Sequence, residues 1–405
     1  MRTDIKARIM RRMKFALTIA ALFSLTLISV SAQKATTPEI KIAFQETTLK
    51  NGLRLITGDD RTAYFETVPS NQLDLSLFLE SDRLRGLSIT QAGLDTERNV
   101  VQEEKRLSFD NQPYAKGDQV LNELLYENFA YKHGVIGSME NLNAASLKDV
   151  SDFFKIYYAP NNLVLVLVGD FKTVDAAAKV RKYFETIPRQ PASPALDLTE
   201  PEQKAERRAT VEDELANAPQ VNVAFKAARG NTPDFYALQI LASVLGSGQS
   251  SRLYQEMVKQ SEMVSEVYSF MSERRGVGAF QISATLRPGK TTADVEAAIY
   301  KEIERLRNVP ISDEELQKAK NTLAYNFDSN LQRSLIRGID IGEYAILYDD
   351  PNLVNTRLDK ISAVTKEDVE RVANKYLKQT NRVVVITVPK AKTAAVGTIN
   401  ERGKK

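Results

Sequence analysis

The sequence predicts an α+β fold of two homologous domains, each combining helices with a β-sheet. Two observations lead to this prediction. A helix–strand pattern near residue 150 recurs near residue 370, and a proline-rich segment separates the two copies. The chain has 405 residues, of which 43% are apolar, and this is enough to bury two hydrophobic cores.

The repeat keeps one spacing of 219 positions. The pairs at this spacing are Ser146 and Thr365, Asp149 and Asp368, Tyr157 and Tyr376, and Asn162 and Asn381. In each copy, Ser or Thr with Asp three residues later predicts a capping box at the start of an amphipathic helix. A β-branched run follows at 163–168 and at 383–388, and each run predicts a buried strand. Two unrelated helix–strand units are the alternative, but they have no reason to keep one spacing.

The predicted domain boundary lies between the two copies. Four prolines fall within 188–201 together with Ala and Ser, a composition typical of a stiff, poorly ordered linker. We therefore predict a first domain at 33–190, a linker at 191–204 and a second domain at 205–390. Residues 391–405 are rich in Lys, Ala, Thr and Gly and are expected to fray.

Residues 1–32 predict a signal peptide. Six Lys or Arg and one Asp begin this stretch, an apolar run follows at 15–30, and small residues precede Gln33 as a cleavage site. An uncleaved membrane anchor is the alternative, although the run is short for a membrane span. We therefore predict an exported protein, periplasmic or extracellular, with no stable membrane span after signal cleavage.

Charge and residue counts restrict the chemistry. Without its first 32 residues the chain has a net charge of −2, so nothing electrostatic suggests a nucleic-acid partner. It contains one histidine, His133, and no cysteine. The chain therefore has no disulfide, no Cys–His nucleophile pair and too few ligands for a closed Cys/His zinc site. A Ser–His–Asp triad would have to use His133.

The first half is shorter than the second. The predicted strand at 49–56 precedes Ser146 by 97 residues, whereas the strand-like 221–225 precedes Thr365 by 144. If these strands correspond, the first half lacks at least 47 residues. The second half fills this interval with a predicted helix and a glycine-rich turn over 234–252. The turn lacks the Gly-Lys-Ser/Thr ending of a phosphate-binding loop.

Residues 95–106 hold the main candidate site. This stretch is helical by propensity, with Asp95 as the predicted N-cap. Glu97 and Glu104 are seven residues apart, so they share one face with an apolar stripe. Two carboxylates in this position suit metal binding or acid–base catalysis. The alternative, which the residues alone favour, is a solvated face paired with neighbouring Arg and Lys side chains.

The chain also resembles the pitrilysin/insulinase family of zinc metallopeptidases. Within this family it resembles the bacterial exported type, which is similar to mitochondrial processing peptidase. The similarity covers nearly all of 45–390 in order. Nine segments carry it: 48–56, 60–66, 79–83, 97–104, 110–114, 137–140, 157–162, 168–171 and 248–254. Members carry paired homologous domains, each a mixed β-sheet with helices packed on it and each part of a clamshell. The resemblance implies the same fold here, with a truncated first domain.

The family's zinc motif, His-x-x-Glu-His, supplies two zinc ligands and a general base from one helix. By motif match Glu104 is the family's third ligand, and Glu97 is the supporting carboxylate. The motif itself is absent, and the missing block near 57–61 falls where the family places it. His133 lies in a downstream loop, where we expect a partly buried residue rather than a ligand or base. Loss of the block predicts an exposed sheet edge or apolar patch in the first half.

A catalytic zinc site needs about three protein ligands, and Glu104 supplies one. Zinc is the cofactor expected of the family, but we predict no tightly bound zinc, no catalytic residue and an inactive peptidase. The predicted role is to bind peptides or unfolded polypeptide, or to pair with a homologous subunit as a homo- or heterodimer. Two alternatives stay open: a zinc endopeptidase whose sequence is incomplete, and a purely structural interaction subunit. The sequence assigns no substrate-binding residues.

Overall fold

The computed structural model describes Ile42 and residues 60–390. The signal peptide, the motif and strand at 48–56 and the tail at 391–405 lie outside the described residues. Residues 60–390 belong to one compact unit. They form helices and one mixed β-sheet, which confirms the α+β class.

In the described part of the first half, the regular structure is helical. The helices are α1 (Leu73–Gly86), α2 (Gln91–Lys105), α3 (Ala115–Leu125), α4 (Phe129–Lys132), α5 (Met139–Ala144), α6 (Leu147–Tyr157) and α7 (Thr173–Phe184). A π-helical turn follows α2 at Arg106–Asp110. The strand predicted at 163–168 is reduced to a single bridge residue, Val164. No other described segment of the first half lies beside it as a strand, and a strand needs such a ladder partner.

The second half contains the sheet and the larger core. Its elements are β1 (Arg207–Asp213), β2 (Gln220–Ala227), α8 (Pro233–Gly246), β3 (Val264–Met271), β4 (Gly278–Leu286), α9 (Thr292–Asn308), α10 (Asp313–Leu331), α11 (Ser334–Tyr348), α12 (Leu353–Ser362), α13 (Lys366–Tyr376) and β5 (Arg382–Pro389). The strand order is β1-β5-β2-β4-β3. The pair β1–β5 is parallel and the other pairs are antiparallel. The predicted strands at 221–225 and 383–388 and the predicted helix at 234–245 are β2, β5 and α8.

The repeat is visible in local geometry at the predicted spacing. The capping boxes at the starts of α6 and α13 are Ser146–Asp149 and Thr365–Asp368. After each helix an Asn side chain donates to the carbonyl oxygen of the last helical residue at 2.8 Å. These contacts are Asn162–Tyr157 and Asn381–Tyr376. The two helix–strand units therefore share their caps at both ends.

Each half packs a helix against the other half. One face of the sheet packs against α8, α9 and α13, while the other packs against Leu121 and Leu125 of α3. Gly117 allows this close approach, because a Cβ there would overlap the Thr387 side chain of β5. In return, α11 places two glycines against the first-half run at 163–168. A first-half helix is thus part of the second-half core.

The linker at 191–204 has no regular secondary structure, yet it is anchored, contrary to the prediction of poor order. The Glu200 side chain is 1% exposed and pairs with Lys226 of β2 at 2.7 Å. Its carboxylate also accepts the backbone N–H groups of Glu127 and Asn128, at 2.7 and 3.0 Å. One buried carboxylate therefore joins the linker to the start of α4 and to the sheet.

Candidate functional site

The structure places Glu97 and Glu104 on α2, as the sequence predicts, but the helix begins earlier. Thr90 is the N-cap, and its hydroxyl oxygen accepts a first-turn backbone N–H at 3.1 Å. Asp95 lies inside the helix and pairs with Arg98 at 2.7 Å. Threonine in an extended conformation is a good N-cap, so the predicted N-cap at Asp95 is wrong.

Both candidate carboxylates are exposed, and neither has a hydrogen bond or ion pair among the described residues. The nearby cations are engaged elsewhere. Arg98 also donates to the carbonyl oxygens of Leu142 and Ala145, at 2.9 and 2.7 Å. Lys105 pairs with Asp110 at 3.4 Å. The face is solvated, but its carboxylates lack the predicted Arg and Lys partners.

The residues present do not fit the zinc ion that the family implies. Glu104 contributes one exposed carboxylate on a helix with no buried residue. In the described part of the chain, no three His, Cys, Asp or Glu side chains are grouped to hold a metal. Since a catalytic zinc site needs about three protein ligands, no reaction step through zinc follows from this donor set.

His133 is exposed, which corrects the expectation of partial burial. It directly follows helix α4. Its ring stacks on Phe129 with centroids 4.2 Å apart, and Nδ1 lies 2.6 Å from the Phe129 carbonyl oxygen. Its partners are therefore local, and they lie on a different element from Glu104.

The first half exposes a large apolar surface, which agrees with the prediction for a half that lacks a block. On α1, Leu77 packs against Phe184 in a small core, while Leu75, Phe78 and Leu79 are about half exposed on the other side. A helix that is apolar on two sides normally has both sides covered. We call this outer side of α1 the bare face.

Sequence reasoning missed two carboxylate clusters, because each forms from residues distant in sequence. On α1, burial and a contact with Glu66 raise the pKa of Glu80, although Arg83 lies 3.1 Å away. Glu66 and Glu80 are fourteen residues apart, so no short sequence motif contains both.

The second missed cluster lies between α11 and α12. Arg357 is buried and binds Glu273 through two hydrogen bonds, of 2.7 and 3.1 Å. Burial raises the pKa of Asp340 to about 6, against the opposing charges of Arg357 and Arg61. Burial also raises the pKa of Glu343, which pairs with Arg61 at 3.0 Å. This cluster joins Arg61 of the first half to the second-half helices.

The glycine-rich turn after α8 is held against α10. Arg252 makes two hydrogen bonds to Glu315, of 2.7 and 2.8 Å, and Lys318 donates to the Ser250 carbonyl oxygen at 3.1 Å. The turn itself is exposed. These side-chain contacts therefore hold the C-terminal end of the turn against α10.

Comparison with known proteins gives consistent matches. The family model described as the peptidase M16 inactive domain matches residues 144–323. The zinc protease PqqE of Helicobacter pylori is 28% identical over 336 residues, which cover 82% of this chain and 75% of that protein. The probable mitochondrial-processing peptidase subunit beta of Arabidopsis thaliana is 22% identical over 338 residues, 80% of this chain and 62% of that protein.

A solved structure agrees with these sequence matches. The crystal structure of a protease from Helicobacter pylori superposes with a TM-score of 0.75 and 27% identity. The superposition covers 80% of this chain and 78% of that chain. The similarity therefore extends over both halves.

Proposed function

Since this chain belongs to the pitrilysin (M16) family of peptidases, we propose that it is a catalytically impaired member. Its proposed role is to bind peptides or unfolded polypeptide and to pair with a homologous subunit. The observation that carries this proposal is the donor set. The sequence contains one histidine, and that residue stacks on Phe129 rather than lying beside Glu104.

The chemistry explains why this donor set matters. Metal-assisted hydrolysis requires zinc to polarise the peptide carbonyl and a base to activate water. The family draws two zinc ligands and the base from one His-x-x-Glu-His helix, and this sequence contains no such motif. Glu104 has the chemistry of a zinc ligand, but in the described part of the chain it belongs to no group of three possible ligands.

Two observations support pairing with a homologous subunit: the exposed apolar side chains of α1 and the name of one relative. The bare face of α1 exposes apolar side chains that a monomer normally covers. One relative is named as the beta subunit of a processing peptidase, so a subunit role has a precedent in the family. A homologous chain has the same fold as this one, so we propose it as the partner.

Export is proposed from the leader at 1–32, which lies outside the described residues. In the described part of the chain, no helix is long and apolar enough to cross a membrane. On the basis of the leader alone, we propose a periplasmic or extracellular location. Fractionation of cells that produce the full chain, with N-terminal sequencing of the product, tests the expected cleavage before Gln33.

The catalytic proposal is tested with purified protein and three measurements. These are zinc content by mass spectrometry, cleavage of unstructured fluorogenic peptides, and binding of the same peptides by fluorescence anisotropy. We expect substoichiometric zinc, no cleavage, and peptide binding that a chelator leaves unchanged. Glu104→Gln should alter none of these, and Glu103→Gln, on the same helix, is the matched control.

Stoichiometric zinc with cleavage that Glu104→Gln abolishes and Glu103→Gln preserves would overturn the proposal. A second candidate is a zinc endopeptidase whose sequence here is incomplete. Glu97 and Glu104 favour that candidate, because they are exposed and make no hydrogen bond or ion pair within 60–390, as expected of ligands whose partner helix is missing. Genomic DNA across codons 57–61 distinguishes a missing in-frame block from a continuous gene.

A further inference from the structure

The sheet face that carries α3 exposes two aromatic rings on the outer strand β3. Ala224 of β2 belongs to the apolar cluster of α3; it lies opposite Gln281 of β4, which lies opposite Phe270 of β3. Directly opposite residues share one face, and so does Tyr268, two positions from Phe270. The rings of Tyr268 and Phe270 are 42% and 41% exposed and stack with centroids 6.2 Å apart. An aromatic pair therefore faces solvent beside α3.

Polar side chains occupy the same face between the aromatic pair and α3. The rows that cross β3, β4 and β2 are Tyr268–Ser283–Asn222 and Glu266–Thr285–Gln220. Helix α3 packs on β1, β5 and β2, and its Asp118 borders these rows, with Oδ1 3.5 Å from the Asn222 amide nitrogen. The rows contain hydroxyls, amides and one carboxylate, but no Lys or Arg.

Two of these polar side chains have hydrogen-bonding capacity that the described residues leave unused. Ser283 is 5% exposed, and its Oγ has no hydrogen-bond partner within 60–390. A buried hydroxyl without a partner is costly, so its position suits a group that arrives from outside the chain. Gln281 is partly exposed, and its side chain makes no hydrogen bond within the same range. An amide side chain offers two donors and one acceptor oxygen.

We propose that this face of β3 and β4 binds a neutral oligosaccharide. A sugar ring has an apolar side of C–H groups, which packs on the rings of Tyr268 and Phe270, and a rim of hydroxyl groups. Each hydroxyl both donates and accepts, which matches the Ser283 hydroxyl and the Gln281 amide. Aromatic lining with a few convergent polar groups is typical of small-molecule sites. This ligand class is additional to the proposed peptide binding and does not depend on it.

The same residues disfavour other occupants. A nucleic acid or another phosphorylated ligand needs Lys or Arg contacts, whereas the charges at this face are the carboxylates of Glu266 and Asp118. An extended polypeptide binds mainly through main-chain hydrogen bonds to the edge of a sheet. The floor of this face is β4, which is paired with β2 on one side and β3 on the other. Recognition here therefore depends on side chains.

Calorimetric titration of the full chain with neutral hexasaccharides tests the site. The probes are cellohexaose, maltohexaose and the N-acetylglucosamine hexamer, and we expect at least one of them to bind. Tyr268→Ala and Phe270→Ala should each raise its dissociation constant about tenfold, because each removes a ring that packs on the sugar. Tyr325→Ala is the matched control, since Tyr325 is 72% exposed on α10, and it should leave the affinity unchanged.

Ser283→Ala separates binding from folding. Because Oγ has no partner within 60–390, its removal should leave the urea unfolding midpoint unchanged or higher. The same variant should raise the dissociation constant about three- to tenfold, from the loss of one hydrogen bond to the sugar. Ser269→Ala should do the reverse, since Ser269 lies on the opposite face and its hydroxyl donates to the Ala242 carbonyl oxygen at 2.8 Å. It should lower the midpoint and leave the affinity unchanged.

Two outcomes overturn the inference. One is that none of the hexasaccharides binds at its highest soluble concentration. The other is sugar binding that Tyr268→Ala, Phe270→Ala and Ser283→Ala all leave unchanged. If no sugar binds and Tyr268→Ala abolishes peptide binding, the occupant is polypeptide, which overturns this inference and supports the proposed function. Sugar binding at this face by a protein that binds no peptide supports the inference and contradicts the proposed peptide binding.

Discussion

Glu200→Gln should destabilise the protein strongly, although the substitution is nearly isosteric. Glu200 and Lys226 are buried, with side chains 1% and 7% exposed. Removing one partner of a buried ion pair typically costs about 3–5 kcal/mol, because the other charge is left uncompensated. Lys226 keeps its contact to the Pro201 carbonyl oxygen at 2.9 Å, so we expect about 3 kcal/mol, the lower end of this range.

The loss should also release the linker. Since Glu200 accepts two backbone amides at the start of α4, its substitution should expose 191–204 to proteases. The assay is urea unfolding followed by limited proteolysis, with Glu202→Gln as the control because Glu202 is exposed in the same segment. In a double-mutant cycle, Lys226→Met added to Glu200→Gln should cost less than the sum of the single changes.

The reasoning would be refuted by a Glu200→Gln protein that unfolds within about 0.5 kcal/mol of the parent, the range of ordinary surface changes. Unchanged protease resistance of the linker would refute it equally. Both results would mean that the linker is held mainly by apolar packing. Additive single changes in the cycle would show that Glu200 and Lys226 do not interact energetically.

Three further outcomes are expected. Gly117→Ala should destabilise by about 1–3 kcal/mol in urea unfolding, because the added Cβ overlaps Thr387, whereas Gly to Ala in an unobstructed helix stabilises. Burial raises the pKa of Asp340 from 3.8 to about 6, so its ionisation lowers stability as pH rises from about 4 to 6. Asp340→Asn should therefore stabilise the protein at pH 7.5 and lose this advantage near pH 4, and equal gains at both pH values would contradict it. His133→Ala should leave zinc content and peptide binding unchanged, since the ring contacts Phe129.

Local patterns were predictable where the physical cause is local. The capping boxes at Ser146 and Thr365 depend on side chains three residues apart, and both form. The strand at β2 and the helix α8 follow from short apolar patterns. The N-cap at Asp95 was wrong, because the helix begins five residues earlier with Thr90 as its cap.

Part of the candidate site was also predictable. Glu97 and Glu104 share the exposed face of α2 because a helix brings residues seven apart together. Their lack of partners was not predictable, since it depends on where Arg98 and Lys105 find other acceptors. The cluster of Asp340, Glu343 and Arg61 depends on a contact between Arg61 and Glu343, which are 282 positions apart, and no local pattern reports such a contact.

The sequence by itself determined the family, the repeated helix–strand unit and the absence of a His-x-x-Glu-His motif. Each of these features depends only on the identity and spacing of residues along the chain. The tertiary structure alone decided the packing of a helix from each half against the other half, the anchored linker and the place of β3 as an outer strand of the sheet. A four-residue helix or a proline-rich segment has no fixed environment of its own. Its environment comes from residues that folding brings next to it, as Glu200 meets Lys226 only when the sheet and the linker pack together.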